Sequence, residues 1–395
     1  MTTRWHIVKP GDTLRLIAAQ YLGNMARSDE IQRTNGLLSE VIYEGQKLRI
    51  ETDEPPKEKV SFERLGIVID GRKLENIPAL TIERSIDKMA GEFSFELPNE
   101  KVFDDITQPF SYQRVEVYWK EATAFTGTVQ RVAPSLQKVA LAGYGLPGVL
   151  SSCTLPKSLY PRTRYNTSFE QIAKRICKAF AVKFEVKDDA AQLASQQFAK
   201  VEIGAEESVG DFLARLAKER GLILYSDEFG WLVAAKEMGS GSLVGEFENP
   251  LTLTAAYNGD KMFSDVYGIR EQSRTVKYAN ASVHVADLPT YRHTTVMSRS
   301  RHDATMKTLV QAEMQRILYQ AMTFSLALPY IENTDGKIWS PGDVVQIVSE
   351  RHRIYKKTMF MVQSVKIELR NGGESATLTL VPLSTIQGKF RKFWK

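Results

Sequence analysis

Apolar and polar positions along this chain follow two rhythms. From residue 61 to about 149 the period is two, which marks strands with one buried face. Leu65 to Ile69 runs into Asp70-Gly71, a hairpin turn signal. Residues 79–85 alternate, and 92–97 alternate more cleanly, with Phe93, Phe95 and Leu97 on one side. Residues 114–119 and 123–132 follow, with a further strand predicted at 138–143. Strands at this spacing predict a sandwich or barrel. The rhythm returns at 337–383: 344–348, 358–369 and 375–383 read as strands. Pro341-Gly342 forms one turn, Pro341 presetting φ and Gly342 free to take φ > 0, and Asn371-Gly372 forms another. Between these regions the period becomes helical. Ser168 and Ser208 each stand before a stretch with apolar residues at i, i+3 or i+4, and each stretch ends in a short strand at 182–186 or 222–225. This predicts an α+β region holding two helix-strand pairs. Residues 263–272 and 282–285 read as extended. A helix is expected within 299–328, with Ala304, Leu309, Ala312, Ile317 and Ala321 as its apolar stripe.

The first fifty residues read β-α-α-β. A strand at 5–8 meets a turn at Lys9-Pro10-Gly11-Asp12, with Asp12 or Thr13 placed to cap a helix carrying Leu14, Ile17, Ala18 and Tyr21. Gly23-Asn24 stops that helix. A second begins near Ser28, turns Ile31 inward and ends at Asn35-Gly36, and 41–50 returns as a strand with Gly45 at a turn. Residues 51–60, charged and with Pro55-Pro56, form an extended, semi-rigid linker. Three blocks resemble the LysM module: Val8-Lys9-Pro10-Gly11-Asp12-Thr13-Leu14, Ile31-Gln32-Arg33-Thr34-Asn35-Gly36-Leu37, and Gly45-Gln46-Lys47-Leu48-Arg49-Ile50. Modules of that family commonly bind N-acetylglucosamine polymers such as peptidoglycan. The resemblance implies a groove between Gly11, Asp12, Thr13 and Leu14 on one side and Gly36, Leu37 and Leu38 on the other. The same residues have evident turn, cap and core roles, and Tyr43-Glu44 stands where such modules more usually carry Ile-Pro. Glycan binding and protein docking both remain open for this module.

Length and charge narrow the rest. A chain of 395 residues suggests roughly two to four domains. A net charge of +5 over that length does not argue for nucleic acid binding. The local excess is the C-terminal basic-aromatic tail at 388–395, where Lys389, Phe390, Arg391, Lys392, Phe393 and Trp394 are candidate contacts for an acidic partner or neighbouring subunit. The first residues lack the apolar core of a signal peptide, and no run approaches the roughly 18 apolar residues of a membrane span, so a soluble, intracellularly made protein without membrane insertion is expected. Two cysteines, Cys153 and Cys177, make no disulfide framework and no zinc site. Cys177 falls on an apolar helix face and belongs to a core, and no local signature makes Cys153 a nucleophile. No two histidines sit at metal-ligand spacing, and there is no phosphate loop or dinucleotide fingerprint. No metal, no cofactor and no catalytic group is expected.

The order from 61 to 385, a β-barrel, a two-helix α+β insertion, a helix and a second β-barrel, resembles the baseplate hub proteins of contractile-tailed phages, the late-control family related to the base of bacterial injection spikes. The residues that carry the resemblance are the helix at 305–322, Leu326-Ala327-Leu328-Pro329, Ile338-Trp339-Ser340-Pro341-Gly342-Asp343-Val344-Val345, and Leu378-Thr379-Leu380-Val381-Pro382. The fold expected is therefore α+β and multidomain: a LysM-like module at 1–50, a linker at 51–60, a first β-barrel at 61–149, an α+β insertion at 150–245, a second β-barrel at 246–387 and the tail at 388–395. The resemblance implies a homotrimer whose paired barrels ring a lumen. That ring joins a tail tube protein to a tail spike protein in the virion baseplate, is assembled in the bacterial cytoplasm, and lets DNA pass in transit. The LysM module implies neighbouring baseplate proteins or peptidoglycan as further partners. Two alternatives stand beside it: a peptidoglycan-binding or peptidoglycan-degrading protein targeted by its LysM module, and the hub of a non-viral contractile injection particle.

Overall fold

The computed structural model describes residues 2–8, 12–22, 28–37, 39–52, 61–74, 77–238, 242–270, 281–285, 288–298, 303–370, 373–386 and 392–393. They form two compact units, Met1–Ser61 and Phe62–Lys395.

In the first unit, strands Thr2–Ile7 and Lys47–Thr52 pair antiparallel, with helices Leu14–Leu22 and Ser28–Thr34 between them in sequence. The predicted inward positions Leu14, Ile17, Ala18 and Ile31 are all buried, joined by Val8, Leu48 and Ile50. A core this small needs polar fastening. Asn35 supplies it: its Nδ2 donates to the carbonyls of Ile31 and Arg49 at 2.8 and 2.6 Å, and its Oδ1 accepts from the Arg49 N–H at 2.6 Å. One side chain thus ties the end of the second helix to the closing strand. That strand begins at Lys47, later than the predicted 41, because Gly45 takes φ +81° and residues 44–45 turn first. The Gly23-Asn24 stop and linker residues 53–60 lie outside the described residues.

In the second unit the expected strands form, but their pairing differs from two barrels. Among the described residues they make one 13-stranded sheet with no closed barrel. Its path runs from Leu253–Tyr257 through Met322–Leu328, Gly373–Pro382, Ile354–Arg370, Ala79–Ser85 and Glu92–Pro98 to Lys138–Gly145, Ala122–Pro134, Arg114–Trp119, Leu65–Ile69 and Arg72–Leu74. A side branch pairs Val344–Ser349 with the first part of Ile354–Arg370 and with Leu243–Glu248. The cause is the length of Ile354–Arg370, 17 residues. Its start pairs with Val344–Ser349, and its end, Ser364 to Arg370, pairs with Ser85 to Ala79 of the amino-terminal β half. A register shift between Val362 and Ser364 separates the two uses, as a bulge bends and re-aims a strand. The two β halves therefore share one core, with Phe93, Phe95, Phe324 and Phe360 in a single cluster. The Asp70-Gly71 turn forms as predicted, with φ of 44° and 86°. Gly342 also takes the expected positive φ, 98°.

The region 148–236 keeps its own core. Its two longer helices, Phe169–Ala179 and Val209–Glu219, repeat each other in detail. Ser168 caps the first in a full capping box with Gln171, and Ser208 caps the second through the Asp211 N–H. Both stop alike: Val182 N–H donates to the Cys177 carbonyl, and Leu222 N–H to the Ala217 carbonyl. The left-handed position is Gly221 in one copy and Ala181, at φ 55°, in the other. The strands that follow, Phe184–Val186 and Ile223–Ser226, flank Leu232–Ala235 in a three-stranded sheet.

The long helix spans Asp303–Ala321 and packs on a sheet of Ala281–His284, Asp265–Arg270 and His293–Ser298. Leu309, Ile317 and Ala321 are buried as predicted, with Met306, Val310, Met314 and Leu318. Ala312 is only half-buried, and its neighbour Glu313 is buried instead.

Candidate functional site

In the first unit, His6 at the end of the first strand joins Asp12 to the first helix. Its Nε2 lies 2.8 Å from Asp12 Oδ2 and its Nδ1 lies 3.1 Å from the Tyr21 hydroxyl, with the ring 8% exposed. Asp12 is thereby held toward the module. Leu14 is a core residue, and Leu37 packs against the same core. Thr13 and Gly36 are the exposed candidates. Gly36 takes φ +62°, which fits the left-handed turn after the second helix. Gly11 and Leu38 lie outside the described residues. Tyr43, noted in the sequence only as a departure, stands 72% exposed and adds an aromatic face.

The basic-aromatic tail divides. Lys392 is exposed, whereas Phe393 is 5% exposed, its ring 6.0 to 6.4 Å from those of Tyr257, Phe324 and Phe360. Its carbonyl accepts from the Tyr355 N–H at 3.1 Å. Phe393 thus serves the core of the body, and its ring is not offered to a partner. Lys389, Phe390, Arg391 and Trp394 lie outside the described residues.

The fold also assembles polar groups that are distant in sequence. Asp265 sits in register between His284 on one neighbouring strand and His293 on the other. Its Oδ1 is 2.8 Å from His284 Nδ1, and its Oδ2 accepts from the Ser264 hydroxyl at 2.6 Å. The hydrogen bond from Ser264, then that from His284, holds the carboxyl below its ordinary range. The order is Ser-Asp-His: the serine hydroxyl donates to the carboxylate and has no histidine as its partner among the described residues, unlike the Ser-His-Asp order of a hydrolase triad. Burial pushes the Cys177 thiol up to about 12, away from reactivity. Among the described residues no cluster of His, Cys, Asp or Glu has the arrangement of a metal site. No helix among them is long and apolar enough to cross a membrane.

Ionic contacts between residues far apart in sequence fasten the parts of the body together, and no local motif announces them. Arg84, 9% exposed, reaches from the Ala79–Ser85 strand to Glu228 of the α+β region at 3.1 Å. Lys218 on the second repeated helix meets Glu313 on the long helix at 2.6 Å, and Arg316 binds the same carboxylate. Burial raises the pKa of Glu313, but the hydrogen bonds from Arg316 and Lys218 outweigh it, and the carboxyl ends below its ordinary value. Glu332 accepts from Trp119 Nε1 at 2.7 Å and from Lys120 Nζ at 2.5 Å, joining the two β halves.

Comparison with known proteins agrees with this architecture. Residues 6–51 match the LysM domain family, and residues 148–236 match the family described as baseplate hub protein gp44-like, second domain. No curated protein sequence matches the chain. Among solved structures, the 43 kDa tail protein of prophage MuSo2 from Shewanella oneidensis aligns with a TM-score of 0.69 at 21% identity, over 82% of this chain and 99% of that one. A tail protein from Neisseria meningitidis gives 0.69 at 17% identity, over 82% and 98%. An E. coli component of the type VI secretion system, itself described as similar to bacteriophage T4 tail proteins, gives 0.53 at 10% identity, over 83% and 78%. The chain thus has a stretch that matches the LysM domain family, then one that matches the baseplate hub gp44-like second domain, within a fold shared with phage tail proteins.

Proposed function

We propose that this chain is a structural subunit of a contractile-tail baseplate hub, without enzymatic activity. Three copies form a ring that joins the tail tube to the central spike and leaves a lumen through which DNA passes. The observation that carries the reading is the near-complete span of a prophage tail protein by the same fold, with the hub-type domain in its midst. Within this reading the body divides functionally at about 149 and 245, the β-rich parts forming the ring and the α+β part its flank. The LysM unit, through Thr13 and Gly36, attaches the hub to a neighbouring baseplate protein or to peptidoglycan. Lys392, with the tail residues Lys389, Phe390, Arg391 and Trp394, supplies contacts for the spike. Likeness to a type VI secretion component favours a second setting, a non-viral injection particle, with the same role. Light scattering of the full chain across dilution, alone and with its spike protein, tests the ring. A trimer in either condition is expected. A stable monomer in both, or one that cleaves peptidoglycan, would overturn the proposal.

A further inference from the structure

A cavity of about 320 Å³ opens in the α+β region beside the strand Thr163–Ser168 and the first repeated helix. Three arginines line it: Arg162 and Arg164 from the strand side and Arg175 from the helix. Arg162 and Arg164 are half-buried and Arg175 is exposed. Arg164 donates to the Leu159 carbonyl at 2.5 Å, but among the described residues none of the three pairs with a carboxylate. Burial, then repulsion from Arg175, lowers the pKa of the Arg164 guanidinium. Such a gathering of like charge is costly when no anion is present. The buried Ile172, Ile176 and Phe212 give the lining an apolar floor. Tyr165, 65% exposed, stands at its edge.

We infer that this cavity is a docking site for a partner protein segment that presents a carboxylate next to an aliphatic or aromatic side chain. Guanidinium groups hold carboxylates by paired, charge-assisted hydrogen bonds, and arginine and aromatic residues are the usual anchors of protein interfaces. The apolar floor decides between anions. A phosphodiester or free phosphate gains nothing from Ile172, Ile176 and Phe212, whereas an acidic residue with an apolar neighbour satisfies both surfaces. A volume near the lower end of ligand sites suits two or three side chains. The inference stands on the cavity and not on the hub reading, so the two can fail separately.

The test selects a random dodecamer peptide display library on the full-length protein. Selected peptides are resynthesised and titrated against wild type, the Arg162→Gln/Arg175→Gln double variant and Arg175→Glu alone. Neither Arg162 nor Arg175 makes a side-chain hydrogen bond to a described residue, so both variants should melt as wild type does, which circular dichroism checks. Arg175→Glu, at an exposed position, gives a second reading if the double variant misfolds. Peptides carrying Asp or Glu beside Leu, Ile or Phe are expected. Their affinity should fall at least tenfold on either folded variant and weaken with salt. Neither inorganic phosphate nor a twelve-residue oligothymidine should displace them at equal concentration. Selected peptides without acidic residues, equal binding to the folded variants, no selection above background, or displacement by phosphate or oligothymidine would each overturn the inference.

Discussion

Replacing Phe393 by alanine tests whether the end of this chain is a structural plug. The ring is 5% exposed and lies against Tyr257, Phe324 and Phe360. Removing about 150 to 200 Å² of aromatic surface from water contributes about 4 to 5 kcal/mol. Ordering a segment near the terminus opposes this by about 1 to 2 kcal/mol per residue fixed. The net loss on Phe393→Ala is therefore about 2 to 4 kcal/mol. For a body of this size that lowers the melting temperature by roughly 4 °C. The assay is denaturant and thermal unfolding of the full chain, with Phe393→Leu and Lys392→Ala alongside. Leucine should retain most of the stability, because it refills most of the space. Lys392 is exposed, and its alanine variant should unfold like wild type. A Phe393→Ala change below about 0.5 kcal/mol would refute the plug, since burial on this scale cannot be silent. The set also separates two meanings of a truncated tail: loss of spike attachment with stability intact belongs to the basic residues, and loss of both belongs to Phe393.

Two further outcomes are expected. Because the folded pKa of Glu313 lies below its ordinary value, its contribution is present above that value, about 4.3, and is lost as pH falls through the folded pKa. Glu313→Gln should therefore cost about 1 to 2 kcal/mol at pH 7, with the gap from wild type closing as pH falls below the ordinary carboxylate value, and a gap independent of pH in denaturant unfolding would contradict the ionic account. Asn35→Ala removes three hydrogen bonds from a small unit and should cost about 2 to 3 kcal/mol. Hydrogen exchange should then show lost protection confined to the first unit, and unchanged protection there would remove Asn35 from its role.

The sequence made local structure legible and left pairing obscure. The serine caps, the Asp70-Gly71 turn and the alternation through Phe93, Phe95 and Leu97 are signals written within a few residues, and each produced the expected element. Those same signals predict barrels, but closure depends on which strand lies beside which. Nothing local in Ser364 to Arg370 announces Ala79 to Ser85 as its partner. The strand His293–Ser298 is not legible in the sequence because His293-Thr294-Thr295 carries no apolar alternation, its partner being supplied by Asp265–Arg270. In the long helix, apolarity alone places Ala312 inward. Glu313 lies there because Lys218 and Arg316 meet its charge, and one of those cations comes from another helix. Phe393 misled for a similar reason: a basic, aromatic terminus reads as a surface until the ring's three aromatic neighbours are brought together from distant segments.

The strand Ile354–Arg370 carries a mechanical consequence. Its last residues and Ala79–Ser85 are held by seven register pairs. A pull along the strand axis strains all of them together, while a pull across the axis opens them singly from one end. The body is accordingly stiff to shear along this strand and weak to peeling across it. A load carried lengthwise would pass from one β half to the other without a hinge.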